Sequence, residues 1–199
     1  MGQAMQRRIF DVLVSGALLV LTWPVFVVCA IAVRFSGPGP ILHRAIRIGQ
    51  HGRPFTLYKF RTMIPGAAGA GPKITAGTDA RVTSVGRLLR RSKLDELPQL
   101  WNVMAGQMSI VGPRPEDPRY VEEYTPEQRR VLDAKPGVTG PASVEYRDEE
   151  SLLAAADDLD AAYAQIMADK LDIDIAYLDQ RTIWSDVRLI VDTVRAVLN

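Results

Sequence analysis

Asp95 and Glu96 stand side by side directly after the cations Arg90, Arg91 and Lys93. Adjacent carboxylates among bases can hold a divalent cation or attack phosphorus. Leu94, Leu97, Leu100, Trp101 and Met104 recur behind them at helical spacing, and Gly106 stands where such a helix would stop. Pro98 suits a first turn, whose N–H groups lack intrahelical partners. The pattern predicts a helix opening at the acidic pair, where the helix N-terminus keeps a carboxylate ionised and attracts phosphate. First-turn acids are equally ordinary capping chemistry, as is Ser92 followed three residues later by Asp95. The pair alone leaves both readings open.

Further cations extend the candidate set. Lys59 and Arg61 alternate with Tyr58 and Phe60, so on a strand they share one face, suited to phosphate oxygens or to keeping an edge soluble. Arg114 lies between Pro113 and Pro115, which stiffen its backbone and present the guanidinium either to an anion or from a plain surface turn. Arg87, Arg90 and Arg91 fall on the polar side of a helical rhythm over 85–94. His43 and His51 have no partner at metal-ligand spacing and are not taken as catalytic. The Gly/Ala/Pro-rich stretch 65–77 reads as a mobile loop, and it lacks the Gly-Lys-Ser/Thr of a phosphate-binding P-loop.

These residues need elements to position them. Residues 12–33 carry no charge, which is 22 positions and long enough to cross a bilayer. Pro24 interrupts the run, and bases flank it on both sides, Arg7 and Arg8 before and Arg34, Arg44 and Arg47 after. A crossing helix would strand one basic flank on the wrong side, whereas a helix that enters and returns keeps both in the cytoplasm. Both arrangements stay open on these residues, and Trp23 beside the proline suits either an interface or lipid packing. Residues 41–47 and 55–60 read as a hairpin around Gly49 to Pro54, 149–168 as an acidic Ala-rich helix, and 175–198 as an amphipathic helix on the core or the membrane interface. The expected class is α+β and mainly helical, divided into a membrane helix (1–37), a catalytic core (38–148) and C-terminal helices (149–199). The single Cys29 excludes a disulfide framework. Between residues 34 and 93 twelve bases face one acid, so this block meets something anionic. Few aromatics interleave with it, which argues against nucleic acid.

Five stretches in this order make the chain resemble the small monotopic phosphoglycosyl transferases, or bacterial sugar transferases. They are Arg-Arg-Ile-Phe-Asp (7–11), Tyr-Lys-Phe-Arg-Thr-Met (58–63), the block 90–102 with Asp-Glu-Leu-Pro-Gln-Leu, Val-Gly-Pro-Arg-Pro (111–115) and Pro-Gly-Val-Thr-Gly (136–140). The resemblance implies transfer of a phospho-sugar from a UDP-sugar to polyprenol phosphate at the cytoplasmic face of the bacterial inner membrane, with Mg²⁺ and release of UMP. Carried over, Asp95 is the nucleophile, and Asp95 and Glu96 attend the metal. Lys59, Arg61, Arg90 and Arg114 bind the substrate's phosphates, and Arg8, Trp23 and Pro24 belong to a helix-break-helix membrane insertion. A homodimer is compatible with it. Two positions depart from the family pattern: Trp23 stands where Ser is usual, and Pro141-Ala142-Ser143-Val144 replaces Trp-Ala-x-Val. Two other classes remain in view, a non-catalytic module binding anionic lipid through the basic block and a Mg²⁺-dependent nucleotide-sugar hydrolase.

Overall fold

The computed structural model describes residues 2–67 and 79–198, so most of the loop expected over 65–77 lies outside the described residues. The first helix, α1 (Gly2–Phe35), passes through the whole apolar run with Pro24 inside it. Proline costs this helix one hydrogen bond without ending it, and the Thr22 hydroxyl donates back to the Leu18 carbonyl at 2.7 Å, a bond that accommodates bending. One stripe of α1, through Asp11, Ser15, Cys29 and Val33, is buried against the rest of the chain. The opposite side is bare: Val20, Leu21 and Trp23 are 75%, 77% and 62% exposed. Among the described residues α1 alone is long and apolar enough to cross a membrane.

The expected hairpin forms from β1 (Leu42–Ile48) and β2 (Pro54–Phe60), antiparallel, with Leu42 opposite Phe60 and Ile48 opposite Pro54. α2 (Ser84–Arg91) follows, capped by Thr83, whose Oγ1 accepts from Gly86 N. The chain then passes Lys93 in the left-handed conformation (φ 56°) and a single 3₁₀ turn, Leu94–Glu96, before α3 (Gln99–Met104). This corrects the sequence expectation: the acidic pair does not open the helix but lies in a separate turn ahead of it. Six residues of α3 bring little dipole to bear there, and the field at the carboxylates has to come from side chains.

A second sheet was not expected. β3 (Ser109–Val111) and β4 (Gly137–Thr139) run parallel, each in a stretch that reads from sequence as loop. α4 (Pro118–Glu122) lies between them, and α5 (Pro141–Glu145) and α6 (Glu149–Ala154) follow β4. The C-terminal boundary also moves. α7 (Leu159–Gln180) absorbs Ile175, and α8 (Ile183–Leu198) begins only after Arg181 turns extended. Thr182 and Ser185 make the break by a reciprocal cap, Ser185 N donating to Thr182 Oγ1 at 3.0 Å and Thr182 N to Ser185 Oγ at 2.9 Å. Phe55 and Leu57 of β2, Leu100 and Val103 of α3, and Ile110 and Val111 of β3 share the central core, with Val14, Leu18 and Leu19 of α1 against it. The carrier elements of the candidate site thus meet in one packed body.

Candidate active site

Glu96 is the hub. Its Oε1 accepts from Lys59 Nζ at 2.7 Å and from Arg114 Nη2 at 3.3 Å. Burial pushes its carboxyl up, but Lys59 and then Arg114 outweigh this and hold it well below the ordinary carboxylate range. Asp95 is treated differently by its surroundings. It is 7% exposed, and its carboxylate accepts no hydrogen bond from the described residues. Burial raises its pKa above the ordinary value, and the charge of Glu96 adds to this, while Lys59, Arg90 and Arg114 pull the other way. One acid of the pair is neutralised by two cations; among the described residues its neighbour is not hydrogen-bonded.

Each member is held by contacts that the sequence motifs supply. The side chain of Asn102, fully buried, completes the open edge of β2: its Oδ1 accepts from Tyr58 N at 3.2 Å and its Nδ2 donates to Thr56 O at 2.7 Å. This locks α3 to the strand carrying Lys59. Replacing Asn102 by Ala leaves both strand groups unpaired in a dry site, so a stability loss of about 2 to 4 kcal/mol is expected in urea unfolding. Arg8 donates to Val103 O and Met104 O at 2.6 and 2.7 Å and so caps the C-terminus of α3. Asp11, buried, accepts from Ser109 Oγ and Ile110 N, both at 2.9 Å, fixing the start of β3. The stretch 7–11 therefore ties α1 to the helix behind the acidic pair and to the strand leading to Arg114.

Asp174, on α7, was not foreseen. It is 4% exposed, and its Oδ1 accepts from the backbone N–H of Ala142 at 3.4 Å, joining α7 to α5. Its partner lies far from it in the chain, and a lone Asp within a helix gives no signal of it. Burial raises its pKa from 3.8 to about 6, against the Ala142 N–H group and the charge of Lys170. The folded state therefore binds this proton more tightly than the unfolded chain, and stability falls as pH rises between those values. Over that window the loss is about 3 kcal/mol, and Asp174→Asn is expected to flatten it in a pH series of denaturation curves.

The remaining sequence candidates separate. Arg90 Nε donates to Thr62 Oγ1 at 3.0 Å, and its charge favours ionised Asp95. Arg61 is redirected: it lies just past β2, is buried, and donates to Val33 O at 2.9 Å, Gly37 O at 2.8 Å and Pro38 O. Its place is therefore the C-terminal cap of α1, a correction to its reading as a phosphate ligand. Trp23 and Pro24 sit on the exposed side of α1, remote from the acidic pair in their contacts, whereas Arg8 is turned inward as described. His43 stands opposite Lys59 in the hairpin register, and burial together with Lys59, Arg47 and Arg90 lowers its pKa.

No group of three or more His, Cys, Asp or Glu that could hold a metal occurs among the described residues. The carboxylate of Asp95 beside Glu96 does fit the mode Mg²⁺ commonly uses, in which one or two carboxylates are completed by substrate phosphates.

A family model described as bacterial sugar transferase matches residues 2–199. An uncharacterized sugar transferase of Bacillus subtilis (strain 168), EpsL, is 35% identical over 192 residues, covering 96% of this chain and 87% of that protein. The UDP-glucose:undecaprenyl-phosphate glucose-1-phosphate transferase of Caulobacter vibrioides is 34% identical over 197 residues, 98% of this chain and 70% of its own length. The protein of the same name from Klebsiella pneumoniae is 36% identical over 194 residues, but the chain spans only 39% of its length.

Proposed function

The chain belongs to the bacterial sugar transferase family and is a transferase; from that premise we propose that it moves a sugar 1-phosphate from a UDP-sugar to polyprenol phosphate through a covalent intermediate on Asp95. The observation that carries this reading is the unequal pair. Glu96 is bound and neutralised by Lys59 and Arg114, while the Asp95 carboxylate accepts no hydrogen bond among the described residues. In the first step an Asp95 oxygen bonds to the sugar-bearing phosphorus, and the bond from that phosphorus to the bridging oxygen breaks, so UMP leaves with the electron pair. In the second, an oxygen of the lipid phosphate bonds to the same phosphorus, and the Asp95 carboxylate is released. Lys59, Arg90 and Arg114 neutralise charge around the transferring phosphoryl group. Mg²⁺, held by Asp95 and Glu96, would supply further charge neutralisation on the diphosphate.

The same reading places the chain at the cytoplasmic face of the bacterial inner membrane, with α1 entering one leaflet and returning. Contacts at both ends of the apolar run support it. Near its start Arg8 and Asp11 bind α3 and β3, and near its end Cys29 and Val33 pack on Phe60 and Leu89. A helix crossing about 30 Å of hydrocarbon would part those contacts to opposite sides, or draw the polar body into the lipid. The test is release of UMP by the membrane-reconstituted chain from a panel of UDP-sugars with Mg²⁺. Release that requires polyprenol phosphate and yields a lipid-linked diphosphosugar is expected. Release that proceeds equally without the lipid would make the chain a hydrolase and sink the proposal.

A further inference from the structure

Away from the acidic pair, α1, the 3₁₀ turn Gln128–Asp133 and the end of α7 enclose a cavity of about 360 Å³ whose lining includes Arg7, Lys135, Asp133 and Arg181. Its other charges are already committed. Arg8 spends its donors on the end of α3, Arg181 pairs with Asp186 at 2.8 Å, and Arg130 pairs with Asp179 at 2.6 Å. Two cations are not. Among the described residues Arg7 donates only from Nη2, to Arg181 O at 3.0 Å, and its buried Nε has no partner. Lys135 makes no side-chain hydrogen bond or ion pair among the described residues. Of the acids, Asp11 is taken up by Ser109 and Ile110, and Asp133 lies on the exposed rim.

The cavity's height fits a lipid. Arg7 precedes Val12, where the uncharged run begins, by five positions, about 7 Å along the helix. That is the depth of a headgroup layer, roughly 5 to 8 Å on each side of the hydrocarbon. We propose that this cavity binds a phosphodiester anion, the headgroup of a membrane phospholipid, between Arg7 and Lys135. The site is distinct from the one that handles the lipid acceptor's phosphate, and it rests on the membrane reading above. A bound headgroup would pin the start of α1 at the interface and, through Arg8 and Asp11, hold α3 and β3 in register with the membrane.

The test uses the full chain in mild detergent, with phosphatidylglycerol retention counted by native mass spectrometry. Lys135→Glu is the principal variant, since the Lys135 side chain makes no hydrogen bond or ion pair among the described residues; Arg7→Ala accompanies it, and Arg195→Glu, exposed on α8, is the control. Retention is expected to fall about fivefold or more in the first two and to stay unchanged in the control. A parallel arm replaces lipid by glycerol 1-phosphate. Retention of that soluble ester, lost equally in Lys135→Glu, would keep the anion site but assign it to a soluble phosphate. Flotation of the wild-type chain with uncharged phosphatidylcholine vesicles separates the two levels of argument. Without flotation the membrane reading falls, and the lipid with it. With flotation, equal phosphatidylglycerol retention in all variants overturns the cavity proposal alone.

Discussion

Replacing Asp95 by Asn is expected to abolish covalent capture of the phosphosugar and to lower turnover on the order of 10⁴-fold or more, since it removes the proposed nucleophile. The substitution is nearly isosteric and leaves the Lys59–Glu96–Arg114 cluster intact, because Asp95 takes part in none of its hydrogen bonds. Removing a buried carboxylate that burial already disfavours should leave stability unchanged or slightly raised. The measurement is intact-protein mass spectrometry after incubation with a UDP-sugar and Mg²⁺ but no lipid. A mass gain of one phosphosugar in the wild type and none in the variant is the expected pair of results. An adduct that persists in Asp95→Asn would move the nucleophile elsewhere, with Glu96 the next carboxylate to examine. A folded variant with wild-type turnover would remove the covalent mechanism altogether.

The residues of the candidate site were largely legible in the sequence, because their types sit in short motifs with restrictive neighbours: Arg114 between two prolines, Lys59 in an alternating strand, Asp95 beside Glu96. What positions them was less so. The parallel pair of β3 and β4 has three residues on each strand, too few for a period to register, and its partners are separated by α4 and the turn after it. The glycines there are the readable trace: a Cβ on Gly137 would collide with the backbone N of Gly112, so Gly is required by close approach of two chains rather than by a turn. Arg61 misled because strand alternation predicts a face, not a destination. One residue beyond β2 the chain has left the strand, and the carbonyls ending α1 offered acceptors within reach. Asp11, Asn102 and Asp174 act through backbone groups 99, 46 and 32 residues away, a kind of contact that no local pattern encodes. The helix expected to begin at Asp95 failed for a related reason. The apolar spacing was right for α3, but after Lys93 in the left-handed region the chain runs in three-residue turns, Leu97 N donating to Leu94 O and Leu100 N to Leu97 O, so the α-helix starts only at Gln99.

Lys59→Ala is expected to cut turnover by about 10² to 10³-fold, the scale of losing one preorganised charge at a transferring group. It is also expected to move the acid side of the pH–rate profile to higher pH. Lys59 is the foremost charge holding down both carboxyls, Asp95 and Glu96, so removing it lets both rise. A larger share of Asp95 is then protonated and non-nucleophilic at any given pH below neutrality. The stability consequence has its own sign. Glu96, depressed in the fold, contributes stability above its ordinary pKa of 4.5 and loses it as the pH falls through the lower folded value. In the variant that contribution shrinks, so the loss of stability against wild type should be largest near neutral pH and fade in acid. Arg114 remains within 3.3 Å of Glu96 and keeps it partly neutralised, which limits the loss to about 1 to 3 kcal/mol. Lys59→Arg, which retains the charge with a different reach, should restore the position of the acid limb more fully than the rate. An acid limb that stays in place in Lys59→Ala would mean that this cation binds substrate without setting the ionisation of the pair. A rate that falls equally in Lys59→Arg and Lys59→Ala, with the limb restored only in the former, would assign geometry and charge to separate parts of its action.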